Sequence, residues 1–570
     1  MPLTIGSKTW TVPGAYGTIE VINLGSVSLP AFNNIIFVGS SRRGLPSTSS
    51  ATRKSYEFIK SFSSLADAQD FYGSSILTQA FQEAQIGGAG VINLVNVAPL
   101  TNGLATVKDN AGTPVTTFDI VPEDKFFGSA GNDISLTIST ASSNTTFTII
   151  PPKLTKWLTA DASTTSTWLS PENVEGLAVN QAIKLWDNSA SAPQATTIME
   201  IDSTNLKIRI ADLPTSAYAA SAYARIFLED TDHQEVATFA STASITDVIS
   251  FINKGSTFNA TRGVYTGAVP TTLTKTYFQT FTGATKGTSP VATDSASGSY
   301  DTFAASAGQW FATFTNYTGV RIRILGLLDS AAAEHLVYSG LALTLRTNNQ
   351  YSIQVVSGCA LGDILLSSGT DPITRAKALN SDDFILAGMG YDGKAAYLSL
   401  APRFAGMMSA NSVLHNFTND SISATTVEYL LGASNVDVTA KFLAAGVLVI
   451  GTGANFYIVQ GINTWQNQAT RWTSDGAHTY KIMQRQIVDY VYEGYKTQMN
   501  RVVGADGYGP AVASAQGLSI LNKYERGGFI TDYKMVDAWR DGDAVLTKPN
   551  IVPAEETDFV GWILQVTVPN

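Results

Sequence analysis

Short apolar runs with no polar face recur along this chain, each set beside a segment of helical periodicity. That alternation admits few folds. Residues 35–39 read Ile-Ile-Phe-Val-Gly, and 91–97 form a second such run around Ile92, Leu94 and Val95. Runs of this length without alternation are strands covered on both faces, as in the parallel sheet of an α/β fold. Between them, Ser64-Leu65-Ala66-Asp67 opens a helix that Gly73 ends, and a second helix over 75–86 stops at Gly87-Gly88. This βαβ arrangement favours parallel pairing. From Asp301 the rhythm returns, with helices over 301–314 and 331–345 and strands over 320–327 and 351–356. A third helix starts at Asp371-Pro372, an acidic cap with proline in the first turn, and leads to a strand over 384–387. One α/β domain is therefore expected in two pieces, 29–102 and 288–415.

The stretch between those pieces has a different texture. Residues 103–287 are rich in Ser and Thr, with period-two segments at 134–139, 147–150 and 206–210 and one helical segment at 245–253. They read as a β-rich insertion forming a separate surface domain. Residues 416–546 form a further α/β unit, with a helix over 437–445 closed by Gly446 and a hairpin from 447–450 and 456–459. The longest amphipathic helix follows over 482–499, where Met483, Ile487, Val491, Tyr495 and Met499 recur every four residues. Lys481, Arg485, Lys496 and Arg501 lie mostly off that stripe, on what is expected to be its solvated side.

Both ends read as unfinished β-structure. Residues 1–28 form an extended arm punctuated by Pro13-Gly14, with a short strand that includes Tyr16, Ile19, Val21 and Ile22. At the other end, 547–570 contain a strand over 559–568. Val560, Trp562, Leu564, Val566 and Val568 point one way, and Phe559 and Ile563 point the other. Such a strand needs a sheet to join, its own or a neighbour's.

Composition narrows the function classes. Only 14% of residues are charged, with a net charge of −10, so affinity for nucleic acid through phosphate neutralisation is not expected. A low charge density also weakens repulsion between copies, a balance that fits a polymer subunit and equally a β-rich protein with Ser/Thr strands; composition alone does not separate the two. The one cysteine, Cys359, excludes an intramolecular disulfide framework. No charged-then-apolar leader and no run of ~20 apolar residues is present, so the expectation is a protein folded in a cytoplasm without membrane insertion.

Residues able to carry chemistry are scattered. His233, His335, His415 and His478 have no two at ligand spacing, and Glu334-His335 lacks the second His of a zinc-binding helix. No metal and no cofactor is expected. Cys359 lies in an apolar segment that marks a packing residue rather than a nucleophile. Gly451-Thr452-Gly453-Ala454-Asn455-Phe456 follows a strand but lacks the third glycine and the Lys-Ser/Thr of a phosphate loop, so a hairpin turn is its better reading. No Gly-x-Ser-x-Gly elbow is present.

The order of the pieces resembles the contractile-tail sheath proteins of bacteriophages and related injection particles. Pro13-Gly14-Ala15-Tyr16-Gly17-Thr18-Ile19-Glu20-Val21 is similar to that family's N-terminal arm, and Phe37-Val38-Gly39-Ser40-Ser41-Arg42-Arg43-Gly44-Leu45-Pro46 to its first core strand and turn. Phe71-Tyr72-Gly73 and Gly87-Gly88-Ala89-Gly90-Val91-Ile92 follow in the family's order. Lys441-Phe442-Leu443-Ala444-Ala445-Gly446-Val447, Gln460-Gly461-Ile462-Asn463-Thr464-Trp465, Tyr480-Lys481-Ile482-Met483-Gln484-Arg485 and Pro553-Ala554-Glu555-Glu556-Thr557-Asp558-Phe559 continue the match. Collinearity is the specific signal, and the middle insertion falls outside it.

The resemblance implies an α/β (α+β) multidomain fold: a mixed-sheet α/β core, a β-rich inserted domain facing outward, and extended terminal β arms. It implies a structural subunit and not an enzyme. Its partners would be other copies of itself in stacked hexameric rings, a tail tube protein, and baseplate and tail terminator proteins. Its place would be a virion tail assembled in the host cytoplasm. The strands around Tyr16–Ile22 and 559–568 would join neighbouring subunits, and Lys481, Arg485, Lys496 or Arg501 would contact the tube. On the residues alone two other readings stay open: an α/β ligand-binding enzyme with a β-rich accessory domain, and a surface-array or adhesin protein.

Overall fold

The computed structural model describes most of residues 34–554 and, before them, two short paired strands, Leu3–Ile5 and Lys8–Trp10. Segments 11–33, 241–249, 263–272, 287–296, 362–370, 467–480, 501–508 and 555–570, with shorter loops, lie outside the described residues. The expected arm strands at Tyr16, Ile19, Val21 and Ile22 and at 559–568 fall there, as does most of the helix expected at 245–253.

The first apolar run is strand β1 (Asn34–Gly39), followed by β2 (Lys60–Phe62), helices α1 (Leu65–Tyr72) and α2 (Ile76–Ile86), and β3 (Ile92–Asn96). Ser64 accepts the Asp67 N–H at the start of α1, and Ser75 and Thr78 cap α2 reciprocally. Each cap satisfies donors that a helix start leaves without partners. After the insertion come α3 (Ser297–Thr318), β4 (Ile322–Leu327), α4 (Ala332–Thr347), β5 (Gln354–Gly358), α5 (Pro372–Leu379) and β6 (Phe384–Ala387). Asp371 caps α5 and Pro372 fills its first turn.

These strands form one seven-stranded sheet in the order β7-β6-β5-β4-β1-β3-β2, where β7 is Val447–Leu448. All neighbours are parallel except β2 on β3. The sheet thus takes a strand from beyond the boundary expected at 415. The chain steps from β1 to β3 in one direction and from β4 to β7 in the other. Right-handed crossovers then place α1 and α2 on one face and α4 and α5 on the opposite one. Every residue of β3, β4, β5 and β6 is buried, as two covered faces require. Helix α6 (Leu400–Ala410), absent from the sequence expectation, crosses α2 closely: a Cβ on Gly406 would stand 2.2 Å from the Ala84 carbonyl oxygen.

Within the β-rich stretch, six strands run in the spatial order Pro152–Trp157, Arg225–Glu229, Ala182–Trp186, Gln194–Asp202, Lys207–Ile210 and Trp168–Leu169. The last returns to the first: Thr159 N–H bonds the Ser170 carbonyl at 2.8 Å and Glu172 N–H the Trp157 carbonyl at 2.9 Å. The sheet therefore closes into a small barrel around Leu169, Ile183, Leu185, Ile198, Ile208 and Ile226, and closure removes free edges. A fully buried Arg225–Asp133 pair at 2.6 Å and a Lys156–Ser74 bond at 3.3 Å tie the barrel to its surroundings.

The C-terminal unit holds α7 (Asn435–Ala444), α8 (Ile482–Asn500), α9 (Pro510–Arg526), and a long hairpin of β8 (Ile530–Asp541) and β9 (Ala544–Pro553). Strand β9 runs across the boundary expected at 546/547, so the chain from Ala544 to Pro553 pairs within its own subunit.

Candidate functional site

Helix α8 carries two stripes on opposite faces. Met483, Ile487, Val491 and Tyr495 pack with Ile520, Leu521 and Tyr524 of α9 and with Ile530 of β8. These contacts hold one face of the hairpin against two helices, and the Tyr495 hydroxyl bonds Thr547 at 3.1 Å. The outer face shows Lys534, Trp539, Lys548, Asn550 and Val552 to solvent. Strands β8 and β9 pair only with each other, so among the described residues both outer edges of the hairpin lack a strand partner. A two-stranded ribbon is marginal alone, but here a helical layer keeps it rigid. Its edges offer rows of backbone N–H and C=O groups to an extended segment.

The second stripe, Arg485, Asp489 and Glu493, is polar and buried. Arg485 reaches Asp382 at 3.1 Å and Asp383 at 3.4 Å and pairs with Asp489 one turn on. Arg346 of α4 meets the same two aspartates, each at 3.1 Å. Glu493 accepts two bonds of 2.6 Å from Arg321, whose guanidinium also lies 4.3 Å from the Tyr351 ring centre. Three carboxylates thus face two guanidiniums at the first cluster. Burial, with the adjacent Asp382 carboxylate, pushes Asp383 up to about 7 against the pull of Arg485.

This corrects the reading of the off-stripe cations. Lys481 and Arg485 are buried inside the subunit, Lys496 is half-buried, and Arg501 lies outside the described residues. The periodicity located the apolar side of α8 correctly but could not show that a second layer covers the polar side.

A doubly wound sheet ordinarily binds ligands at the carboxyl ends of the strands where the chain reverses direction, here between β1 and β4. That crevice is full. A Cβ on Gly39 would meet Leu328 Cδ1 at 2.8 Å and Leu77 Cδ2 at 3.2 Å, and buried Tyr300 donates to the Leu328 carbonyl at 3.1 Å. Beside it, His335 Nε2 lies 3.1 Å from the Ser357 hydroxyl and 3.0 Å from the Asp329 carbonyl. Burial pushes His335 down to about 4, so it is neutral and joins α4 to β4 and β5. Both side chains are sealed from solvent. Glu83 is a second polar hub that the sequence reading missed, bonded to Tyr391 at 2.6 Å, Lys394 at 2.7 Å and Arg403 at 2.6 Å. Among the described residues, no group of three His, Cys, Asp or Glu could hold a metal ion, and no helix is long and apolar enough to cross a membrane.

No protein-family model matches the chain, and no curated protein does. Among solved structures, it is similar to the sheath tail protein of Listeria innocua, at 12% identity, a TM-score of 0.51, and coverage of 92% of this chain and 96% of that one. The sheath tail protein of Desulfitobacterium hafniense matches at 13% identity and a TM-score of 0.49, over 95% of this chain and 100% of that one. The helical sheath of the anti-feeding prophage in its contracted state matches at 12% identity and a TM-score of 0.34, over 49% and 76%. The first likeness shows a shared fold: this chain is folded as that sheath tail protein is.

Proposed function

We propose that this chain is the sheath subunit of a contractile tail, a structural protein and not an enzyme. The observation that carries the reading is the hairpin β8–β9, open along both edges yet held rigid by α8 and α9, in a chain with a sheath tail protein's fold. Strand addition at such edges joins copies through backbone bonds and alternate side chains. The terminal segments are its natural donors: Tyr16, Ile19, Val21 and Ile22 at one end, and Phe559, Val560, Trp562, Ile563, Leu564, Val566 and Val568 at the other.

Copies linked in this way build hexameric rings stacked helically around a tail tube, with the β-rich barrel facing outward. Closure of that barrel agrees with a surface role, since it offers no edge to the mesh. Baseplate and terminator proteins bound the two ends, and the assembly belongs to a virion tail built in the host cytoplasm. Contraction then needs no bound nucleotide. It is a passage between two packings of the same subunits, the second with more contacts. The filled crevice between β1 and β4 speaks against the enzyme reading, because the place where this sheet type takes a ligand is occupied by its own side chains.

The test removes residues 558–570. The full chain should form rings or tubes in negative-stain electron micrographs at high concentration, whereas the truncated chain should remain monomeric with an unchanged melting profile. Normal tubes from the truncated chain, or a full chain monodisperse at every concentration, would refute the reading.

A further inference from the structure

Helix α4 carries apolar side chains on its solvent face as well as on its core face. Its buried side carries Glu334, His335 and Ser339 beside Tyr338, Ala342 and Leu345. Its solvent side carries Ala333, Leu336, Val337, Gly340, Leu343 and Thr344, one continuous stripe at helical spacing. Leu336 is 49% exposed, Val337 38% and Leu343 49%, and no charge interrupts them. The neighbouring α3 extends this surface: Asp301 is the only charged residue in its sequence, and Ala305, Gln309 and Ala312 face outward. Gly340 adds a second sign. An interior helical glycine costs about 1 kcal/mol relative to alanine, yet a Cβ there would meet nothing within 4 Å. The subunit's own packing gives no reason for that glycine, whereas close approach of another backbone does.

A matching patch lies on the opposite face of the sheet. Along α2 and the turn into β3, the exposed residues include Gln79, Gln82, Ile86 and Val91, the last two 53% and 58% exposed. Glu83, the one charged residue between them, is buried and held by Tyr391, Lys394 and Arg403.

We propose that the two patches meet in different copies: the α4 stripe of one subunit docks on the α2–β3 turn of the next. The inference rests on the self-assembly proposed above and names a second contact for it, separate from strand addition. The second copy is singled out by charge and placement. Chains of net charge −10 can exclude water between them only where neither buries an unpaired charge, and both patches meet that condition. Patches on opposite layers of one sheet form a heterologous contact, which repeats from copy to copy into a ring or helix and does not stop at a pair.

Two variants and one cross-link test it. Leu336→Lys with Leu343→Lys, and separately Val91→Lys, alter exposed positions, so each should melt as the parent does. Each should raise the concentration needed for assembly about tenfold or more, read by sedimentation and electron microscopy. In addition, a Leu343→Cys chain mixed with a Val91→Cys chain should give a mixed disulfide dimer on oxidation. Cys359 is buried and does not compete. If the parent assembles while both lysine variants assemble at its threshold, or no mixed dimer forms, this contact is wrong and strand addition stands. A parent chain that never assembles overturns both.

Discussion

Replacing Asp383 by asparagine isolates the titration of the buried cluster beneath α8. In the folded chain Asp383 is buried between Arg485, Arg346 and Asp382, and its pKa is raised to about 7, chiefly by burial. In the unfolded chain an aspartate titrates near ~3.9. The sign follows from the two values. Below about pH 4 both states hold the proton and the group is neutral in its effect. Between about 4 and 7 only the folded state holds it, so folding takes up a proton and stability falls as pH rises. Above 7 the loss is complete, and a shift of roughly three units corresponds to about 4 kcal/mol. Asparagine keeps the shape and removes the titration. The stability difference between variant and parent should therefore move in the variant's favour by a few kcal/mol from acid to mildly alkaline conditions. Any fixed cost of exchanging one hydrogen bond for another stays constant across the series. Denaturant unfolding of both purified chains at stepped pH, followed by one probe, reads the difference directly. A variant-minus-parent difference that stays level from pH ~4 to pH ~8 would show that Asp383 is ionised throughout and that Arg485 and Arg346 outweigh burial.

Two further substitutions probe the α/β core. Gly406→Ala would drive a methyl group into the backbone of α2 at Ala84; a loss of about 2–4 kcal/mol is expected, measurable as a lowered denaturation midpoint with an unchanged slope. Glu83→Gln leaves Arg403 buried without its carboxylate and should cost about 3 kcal/mol. Burial alone would raise the Glu83 pKa, but donors from Lys394, Tyr391 and Arg403 hold it below the usual range. The parent's advantage over Glu83→Gln should accordingly be full at neutral pH and shrink in acid, as the pH falls through the folded-state value. An advantage equal at both would contradict this.

Much of the parallel sheet was readable along the chain, because a strand buried on both faces must be written as an unbroken apolar run. Residues 35–39, 92–96 and 384–387 could be placed for that reason, and the caps at Ser64, Ser75 and Asp371 marked helix starts through local hydrogen bonds alone. The hairpin β8–β9 was not readable. Its strands mix Asp, Lys and Trp, and Pro549 interrupts the second; what stabilises it is the layer made by α8 and α9, a contact between distant segments. Helix α6 escaped notice for a similar reason, since Pro402, Arg403 and Gly406 blur its periodicity and make sense only against α2 and Glu83.

By itself, then, the amino-acid order marked the buried strands and capped helices of the parallel sheet and which side of α8 is apolar. Those properties depend on neighbours within a few residues of one another. Tertiary structure alone decided that Arg485 is buried among aspartates, that six of the insertion's strands close into a barrel, that the crevice between β1 and β4 is filled by Leu328 and Tyr300, and that α4 turns Leu336 and Leu343 outward while Leu341 and Leu345 are buried. Each depends on which surfaces meet across hundreds of residues, and a charge or an apolar side chain looks the same in one dimension whether it faces water or another layer.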